Sequence, residues 1–369
     1  MPQVFDWQQT AHQEQFVRDA AEAIRSGQIV AFPTETVYGL AALASSPEAV
    51  ERLVHCKGRP EDKPLALALA DASDLRHWVP GLGKVARRLT RRCWPGPVTL
   101  VFAEGSDVTL LPPEVRPRVS PRNALGIRVP AHHAILDVLD RIGGPLVLTS
   151  ANRSGEPDAV TGQQVVAALG DAVAVVIDDG PTRYGKPSSV IRIVGDRWEM
   201  LREGVVPPAL VQQLTACVIL FVCTGNTCRS PLAAALCKKL LAERLGCAIE
   251  ELPSRGYVVC SAGLSAFPGS PAAEEAVAVA QARGANLAAH ASQPLTPQLL
   301  RQADFVFGMT QDHVLGAAEL LIDDPPVLEV LSPDGTDLDD PIGGDRQVYE
   351  ACAEQIEAAL RTRLPMLIS

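Results

Sequence analysis

Cys223-Thr224-Gly225-Asn226-Thr227-Cys228-Arg229-Ser230 puts a nucleophile and a fork of guanidinium donors into one turn. An apolar run at 218–222 leads into it, and a helical pattern at 231–245 leads out. A strand that feeds a short loop and then a helix aims several backbone N–H groups at one point, and that point attracts anions. The planar fork of Arg229 suits a phosphoryl group. A cysteine at the base of such a loop sits in positive potential, which favours the thiolate, the form that attacks phosphorus. Pro231 fits the first turn of the helix, where a missing N–H costs nothing. The Cys-x5-Arg spacing alone is common. The strand before it, Gly225 within it, Ser230 after it and the helix beyond make 223–230 a candidate phosphate-binding catalytic loop.

Such chemistry also needs an acid for the leaving group. The candidate is Asp340, in Asp339-Asp340-Pro341-Ile342-Gly343-Gly344. Taken alone, the acidic stretch 334–345 reads as a solvated loop. Here the chain resembles the low-molecular-weight protein tyrosine phosphatase family, whose signature is Cys-x4-Cys-Arg-Ser/Thr in this setting. The resemblance covers about residues 217–369 and extends to Ser261-Ala262-Gly263 and to the strand-like run 303–310. It implies Cys223 as nucleophile, Arg229 as phosphate binder and Asp340 as general acid, with no metal. Tyrosine-specific members carry aromatic residues after the Asp-Pro, where this chain has Ile342, Gly343 and Gly344. Thr227 also stands where those members have an aliphatic residue. Thr227 and the Asp-Pro-x-Gly-Gly loop resemble the protein arginine phosphatase branch, although Ile342 replaces a Phe common there. A phosphorylated protein, on arginine or tyrosine, is the implied substrate. Cys228 is either a partner for Cys223 in a reversible disulfide or a small packed thiol. Arsenate reduction on the same fold uses extra late cysteines, and Cys352 alone is late.

The first half has its own cluster of charge. A helical pattern at 10–26 and an apolar strand at 29–32 precede Pro33-Thr34-Glu35-Thr36-Val37-Tyr38-Gly39-Leu40. Lys57, Arg59 and Lys63 follow within seven residues, with glycine and prolines between them. By composition this is a solvated turn. It abuts an apolar strand at 65–69, however, and a basic loop at a strand end is a polyphosphate site in the making. Gly126-Ile127-Arg128-Val129 reads as a strand carrying one arginine, and Thr149-Ser150-Ala151-Asn152 as a strand running into a polar turn. Lys186-Pro187-Ser188-Ser189 opens another strand.

Together these elements resemble the YrdC-like threonylcarbamoyl-adenylate synthase family over about residues 10–206. Its marks are Pro-Thr-Glu-Thr-Val-Tyr-Gly-Leu, Lys-x-Arg, Ser-x-Asn and Pro-Ser-x-Val, in that order, with Trp94-Pro95-Gly96-Pro97-Val98-Thr99 as a further landmark. The resemblance implies synthesis of threonylcarbamoyl-adenylate from L-threonine, bicarbonate or CO2, and ATP, for modification of adenosine in tRNA. Lys57, Arg59, Lys63 and Arg202 would then bind ATP phosphates, and Ser150 and Asn152 the nucleotide. Thr36, Arg128 and Ser188 would hold threonine. Mg2+ would accompany ATP, tRNA-modification machinery would act downstream, and double-stranded RNA would be a partner. Catalysis would be positioning and charge neutralisation, without a side-chain nucleophile. Longer members carry a histidine where this chain has Ala68, and an extra C-terminal domain that the phosphatase-like half replaces. The other reading of this half is a module that binds nucleotide or RNA without synthesis.

A chain of 369 residues exceeds one ordinary core. The expected organisation is a YrdC-like domain at 1–208, a linker at 209–216 and a phosphatase-like domain at 217–369. Both are α/β: first a twisted mixed sheet with helices, then a doubly wound parallel sheet. Residues 1–216 hold 23 Lys+Arg against 24 Asp+Glu, and residues 217–369 hold 10 against 19, so the net −10 lies almost wholly in the second half. That half presents no nucleic-acid-binding face. Nine scattered cysteines fit a reducing cytoplasm rather than a disulfide framework. No apolar run suggests a membrane span, and the N-terminus lacks the pattern of a signal peptide.

Overall fold

The chain divides into two compact units, Met1–Val211 and Gln212–Ser369. The computed structural model describes residues 1–60, 63–321 and 326–368. The segment expected as a linker is largely helical, Pro208–Leu214, and it starts on a proline, as helices tolerate.

The first unit carries strands β1 (Gln3–Asp6), β2 (Val30–Phe32), β3 (Gly39–Leu43), β4 (Ala66–Ala68), β5 (Val98–Phe102), β6 (Leu125–Arg128), β7 (Leu146–Ser150), β8 (Val175–Asp178), β9 (Ser189–Val194) and β10 (Arg197–Arg202). They form one ten-stranded sheet in the order β1-β8-β2-β3-β7-β4-β6-β5-β9-β10. Its ladders are mixed, with β3–β7 antiparallel and β4–β6 parallel. The register brings distant segments together. Gly39 pairs with Ser150, Ala68 with Arg128, and Val190 with Arg202. The helix Gln13–Arg25 buries Val17, Ala20, Ala21 and Ile24, one face at helical spacing, against the apolar cluster that covers the sheet. Val17 and Ile24 each contribute about 1.5–3 kcal/mol, and each alanine methyl about 0.8 kcal/mol. Strand β1 was not expected from the sequence. It adds to the sheet edge beside β8 with Gln3 and Val4 exposed, so it shows no inward alternation.

The second unit carries β11 (Cys217–Cys223), β12 (Tyr257–Gly263), β13 (Phe305–Gly308) and β14 (Val327–Val330), all parallel, in the order β12-β11-β13-β14. Successive residues of β11 alternate between two cores. Ile219 and Phe221 join one cluster, whereas Leu220 and Val222 join the other. Helices Arg229–Leu245 and Arg346–Ile368 cover the first face, and Pro297–Gln302 and Gln311–Ala318 contribute to the second. The chain winds from β11 to opposite sides, so the carboxyl end of β11 is the switch point where open α/β sheets bind ligands. Cys223 is its last residue. No helix among the described residues is long and apolar enough to cross a membrane.

Candidate active sites

In the second unit, Cys223 closes β11 and Arg229 opens the next helix, which leaves 224–228 as the turn. The turn curls around the sulfur. The Asn226 N–H donates to Cys223 Sγ at 3.2 Å, and Ser230 Oγ lies 3.0 Å from it. Asn226 adopts a left-handed φ of 56°, which asparagine tolerates better than most residues. It is fully buried and pinned on every side. Its Nδ2 donates to Ser230 Oγ and Ser261 Oγ at 2.9 Å each, its Oδ1 accepts the Gln293 N–H at 2.9 Å, and its carbonyl lies 2.7 Å from His290 Nε2. Gly263 passes so close that a Cβ there would lie 2.5 Å from the Thr224 carbonyl oxygen. The glycine of Ser261-Ala262-Gly263 is thus required by the loop beside it.

Arg229 is buried and donates to the Leu338 carbonyl at 3.3 Å and to Asp340 Oδ2 at 2.5 Å. Asp340 is half-exposed, and its other oxygen accepts the Ile342 N–H. The structure therefore gathers the three residues singled out for catalysis. Gly225 lies within the turn. Cys228 is buried, its sulfur 3.2 Å from Tyr349 Oη and 3.6 Å from Thr227 Oγ1. Burial and that thiol push the Tyr349 phenol up. Both cysteines of the loop are free thiols. Cys352 is buried, and burial pushes its thiol up to about 12.

In the first unit a cavity of about 610 Å³ opens beside β7 and is lined by Arg59, Arg128, Ser150, Ser188 and Arg202 among others. Among the described residues no carboxylate lines it. Arg59 donates to Thr149 Oγ1 at 3.1 Å and to the Pro64 carbonyl at 2.7 Å. Arg202 donates to the Ser188 carbonyl at 2.8 Å and to Ser188 Oγ at 3.2 Å. Burial lowers the proton affinity of both guanidinium groups, and the charge of Arg202 lowers that of Arg59 further. Gly204 follows at once. A Cβ there would lie 2.2 Å from the Pro187 carbonyl oxygen.

One expectation is corrected. Lys57 is buried rather than part of a surface loop, and it does not line the cavity. Its ammonium meets Ser150 O at 2.6 Å, Asn152 Oδ1 at 2.7 Å, Asn152 O at 3.0 Å and Ser150 Oγ at 3.1 Å. Those partners use up its three protons. Burial, then the neighbouring Arg59, pushes Lys57 down to about 8. Arg128 is likewise engaged already. Its Nη2 donates to Glu35 at 2.6 Å and to Thr36 at 2.9 Å, and its Nε to the Gly96 carbonyl at 3.2 Å. Thr36 and Asn152 sit behind the cavity wall, and Lys63 is exposed outside it. Glu61 and Asp62 of that loop lie outside the described residues.

Residues 22–204 match the Sua5/YciO/YrdC family, described as telomere recombination. Residues 218–367 match the low molecular weight phosphotyrosine protein phosphatase family. A putative threonylcarbamoyl-AMP synthase of Mycobacterium tuberculosis is 32% identical over 206 residues, 56% of this chain and 92% of its own length. The chain belongs to the Sua5/YciO/YrdC family through its first unit, and its second unit matches the low molecular weight phosphotyrosine protein phosphatase family. The threonylcarbamoyl-AMP synthase of Pyrococcus abyssi is 37% identical over 193 residues, 52% of this chain. The chain spans about half the length of that relative, 54%. A crystal structure of P. abyssi Sua5 complexed with L-threonine has 25% identity and a TM-score of 0.50, and covers 67% of this chain and 88% of that one.

Several residues around these sites escaped the sequence reading. In the Sua5/YciO/YrdC unit they are Thr34 and Thr149, which line the cavity, and Glu35, which neutralises Arg128. Ala68 packs into the apolar cluster and not the cavity, so the histidine absent there leaves no gap in the lining. In the phosphatase-family unit they are Ser261, His290, Gln293, His313 and Tyr349. Of these five, only Ser261 stood in a recognisable motif. The others reach the loop by tertiary packing alone.

Proposed function

We propose that the chain is a bifunctional enzyme. The first unit forms threonylcarbamoyl-adenylate from ATP, L-threonine and bicarbonate or CO2, and releases pyrophosphate. The observation that supports this is five guanidinium groups, Arg59, Arg122, Arg128, Arg192 and Arg202, around one cavity, with no carboxylate among its described lining residues. Arg59 and Arg202 bind ATP phosphates, and the Nη1 of Arg128 receives the threonine carboxylate while Glu35 and Thr36 fix its plane. Lys57 holds Ser150 and Asn152 in place for the nucleotide. Mg2+ would enter with the phosphates of ATP, since no carboxylate lines the cavity among the described residues. The product feeds tRNA adenosine modification in the cytoplasm, and the arginine-rich first unit is the part suited to RNA.

The second unit hydrolyses a phosphorylated protein. Cys223 attacks phosphorus in line with the leaving group, the turn and Arg229 hold the phosphoryl oxygens, and Asp340 gives its proton to the leaving atom. Water then frees the cysteinyl-phosphate, with Asp340 taking the proton back. The pairing of Arg229 with Asp340 beside the Cys223 turn supports this assignment. Phosphoarginine is the favoured substrate. Ile342 is 72% exposed and glycines follow it, so the segment after the Asp-Pro offers no aromatic side chain to a phosphotyrosine ring. Two assays on the full chain test both halves. ATP with threonine and bicarbonate should give pyrophosphate only when all three are present; ATP binding without pyrophosphate would reduce the first unit to a nucleotide-binding module. Phosphoarginine and phosphotyrosine peptides, compared side by side, should favour phosphoarginine.

A further inference from the structure

His313 touches the phosphate turn from outside. It is 4% exposed, on the helix Gln311–Ala318 that follows β13. Its Nε2 lies 2.9 Å from Thr224 Oγ1, the residue next to the nucleophile, and its Nδ1 lies 2.7 Å from Thr310 Oγ1. The Thr310 hydroxyl caps the helix and accepts the His313 N–H. With the Thr310 hydroxyl donating to Nδ1, Nε2 carries the hydrogen given to Thr224. Thr224 also receives the Ser265 N–H on its carbonyl. Both ends of that residue are therefore fixed, and with them the start of the turn that must point its amides at phosphate.

We propose that His313 is a positioning residue for phosphate binding: as a neutral imidazole capped by Thr310, it holds Thr224 and so sets the turn around Cys223. This rests on the phosphatase reading of the second unit. The charged groups facing the ring are Arg229 from the helix after the turn, Asp340 and Asp337 from the late loop, and Asp312 from its own helix. Burial and then Arg229 oppose a charge on the ring, whereas the three carboxylates favour one. A second cation there would also compete with Arg229 for Asp340.

The test uses the full chain, with aryl phosphate hydrolysis and inorganic phosphate affinity measured on each variant. His313→Leu removes the donor and should lower both kcat and phosphate affinity by about tenfold, the size of one hydrogen bond lost. His313→Gln can place an amide N–H near the position of Nε2 and should recover most of that loss. It should also flatten the acid limb of the pH profile that His313 contributes. Thr224→Val should match His313→Leu, and the double variant should lose nothing further, because both remove one contact. Additive losses, or wild-type constants in His313→Leu, overturn the proposal. If the wild type binds phosphate but hydrolyses nothing, the phosphatase reading fails, and phosphate affinity across the same variants still decides the role of His313. If it does neither, both fall.

Discussion

The two units build their candidate anion sites in opposite ways. In the second, one continuous stretch supplies nucleophile, turn and arginine, and the fold's task is to hold that stretch in shape. In the first, Arg59, Arg128 and Arg202 come from three separate parts of the chain and meet only because the ten-stranded sheet aligns them. A contiguous site concentrates its chemistry in a few residues, so a single change there should be severe. A dispersed site shares phosphate binding among several cations, so a single change should be graded.

The largest effect should come from the contiguous site. Cys223→Ser should abolish phosphatase turnover and leave threonine-dependent pyrophosphate release unchanged; loss of both would tie the units together in a way the comparison does not allow. Next is Asp340→Asn. It removes the proton donor and should slow poor leaving groups by about 10²–10⁴-fold, with a much smaller loss on activated aryl phosphates. It also breaks the ion pair with Arg229, so equal losses on both substrates would assign Asp340 a structural role. In the dispersed site, Arg59→Ala should weaken ATP binding by about 2 kcal/mol, roughly 30-fold, as for a hydrogen bond with a charged partner. Calorimetry checks this, and identical affinities would leave Arg59 outside the ATP site. Arg59→Lys should recover little, because an ammonium lacks the fork.

Two smaller effects refine the picture of the turn. Thr227→Ile should shift the ratio of phosphoarginine to phosphotyrosine turnover toward phosphotyrosine, and an unchanged ratio would leave Thr227 as packing. The other is pH-dependent stability. Burial and Arg229 hold His313 below its ordinary value of 6.5. The unfolded chain then binds that proton more tightly than the folded one. Stability from this group is complete above about pH 6.5 and is lost as pH falls through the folded value. Unfolding of the second unit in urea should become easier over that window in wild type, and less so in His313→Gln.

The contiguous site was readable almost whole from the sequence, since its strand, turn and helix are adjacent and its spacing carries the chemistry. Asp340 was readable only with that turn in mind. The dispersed site was readable as a set of motifs, but not in its assignment of roles. Lys57 and Arg59 look alike two residues apart. Yet Lys57 ends a buried helical turn and is captured by Ser150 and Asn152, over 90 positions away, whereas Arg59 lines the cavity. Which cation faces a ligand is decided by sheet register, and register is invisible in local spacing. The neutralisation of Arg128 by Glu35 escaped for the same reason, as did the reach of His313 and Tyr349 to the turn.

Gly204 carries a practical consequence. The space its missing side chain leaves is filled by the Pro187 carbonyl and the backbone of Ser188, the residue Arg202 grips. One added methyl group would have to prise that crossing apart. Gly204→Ala would then act as a separation-of-function allele, one that silences the nucleotide-handling half while every charge on the protein stays in place. In a cell it would let the duties of the two halves be told apart without deleting either.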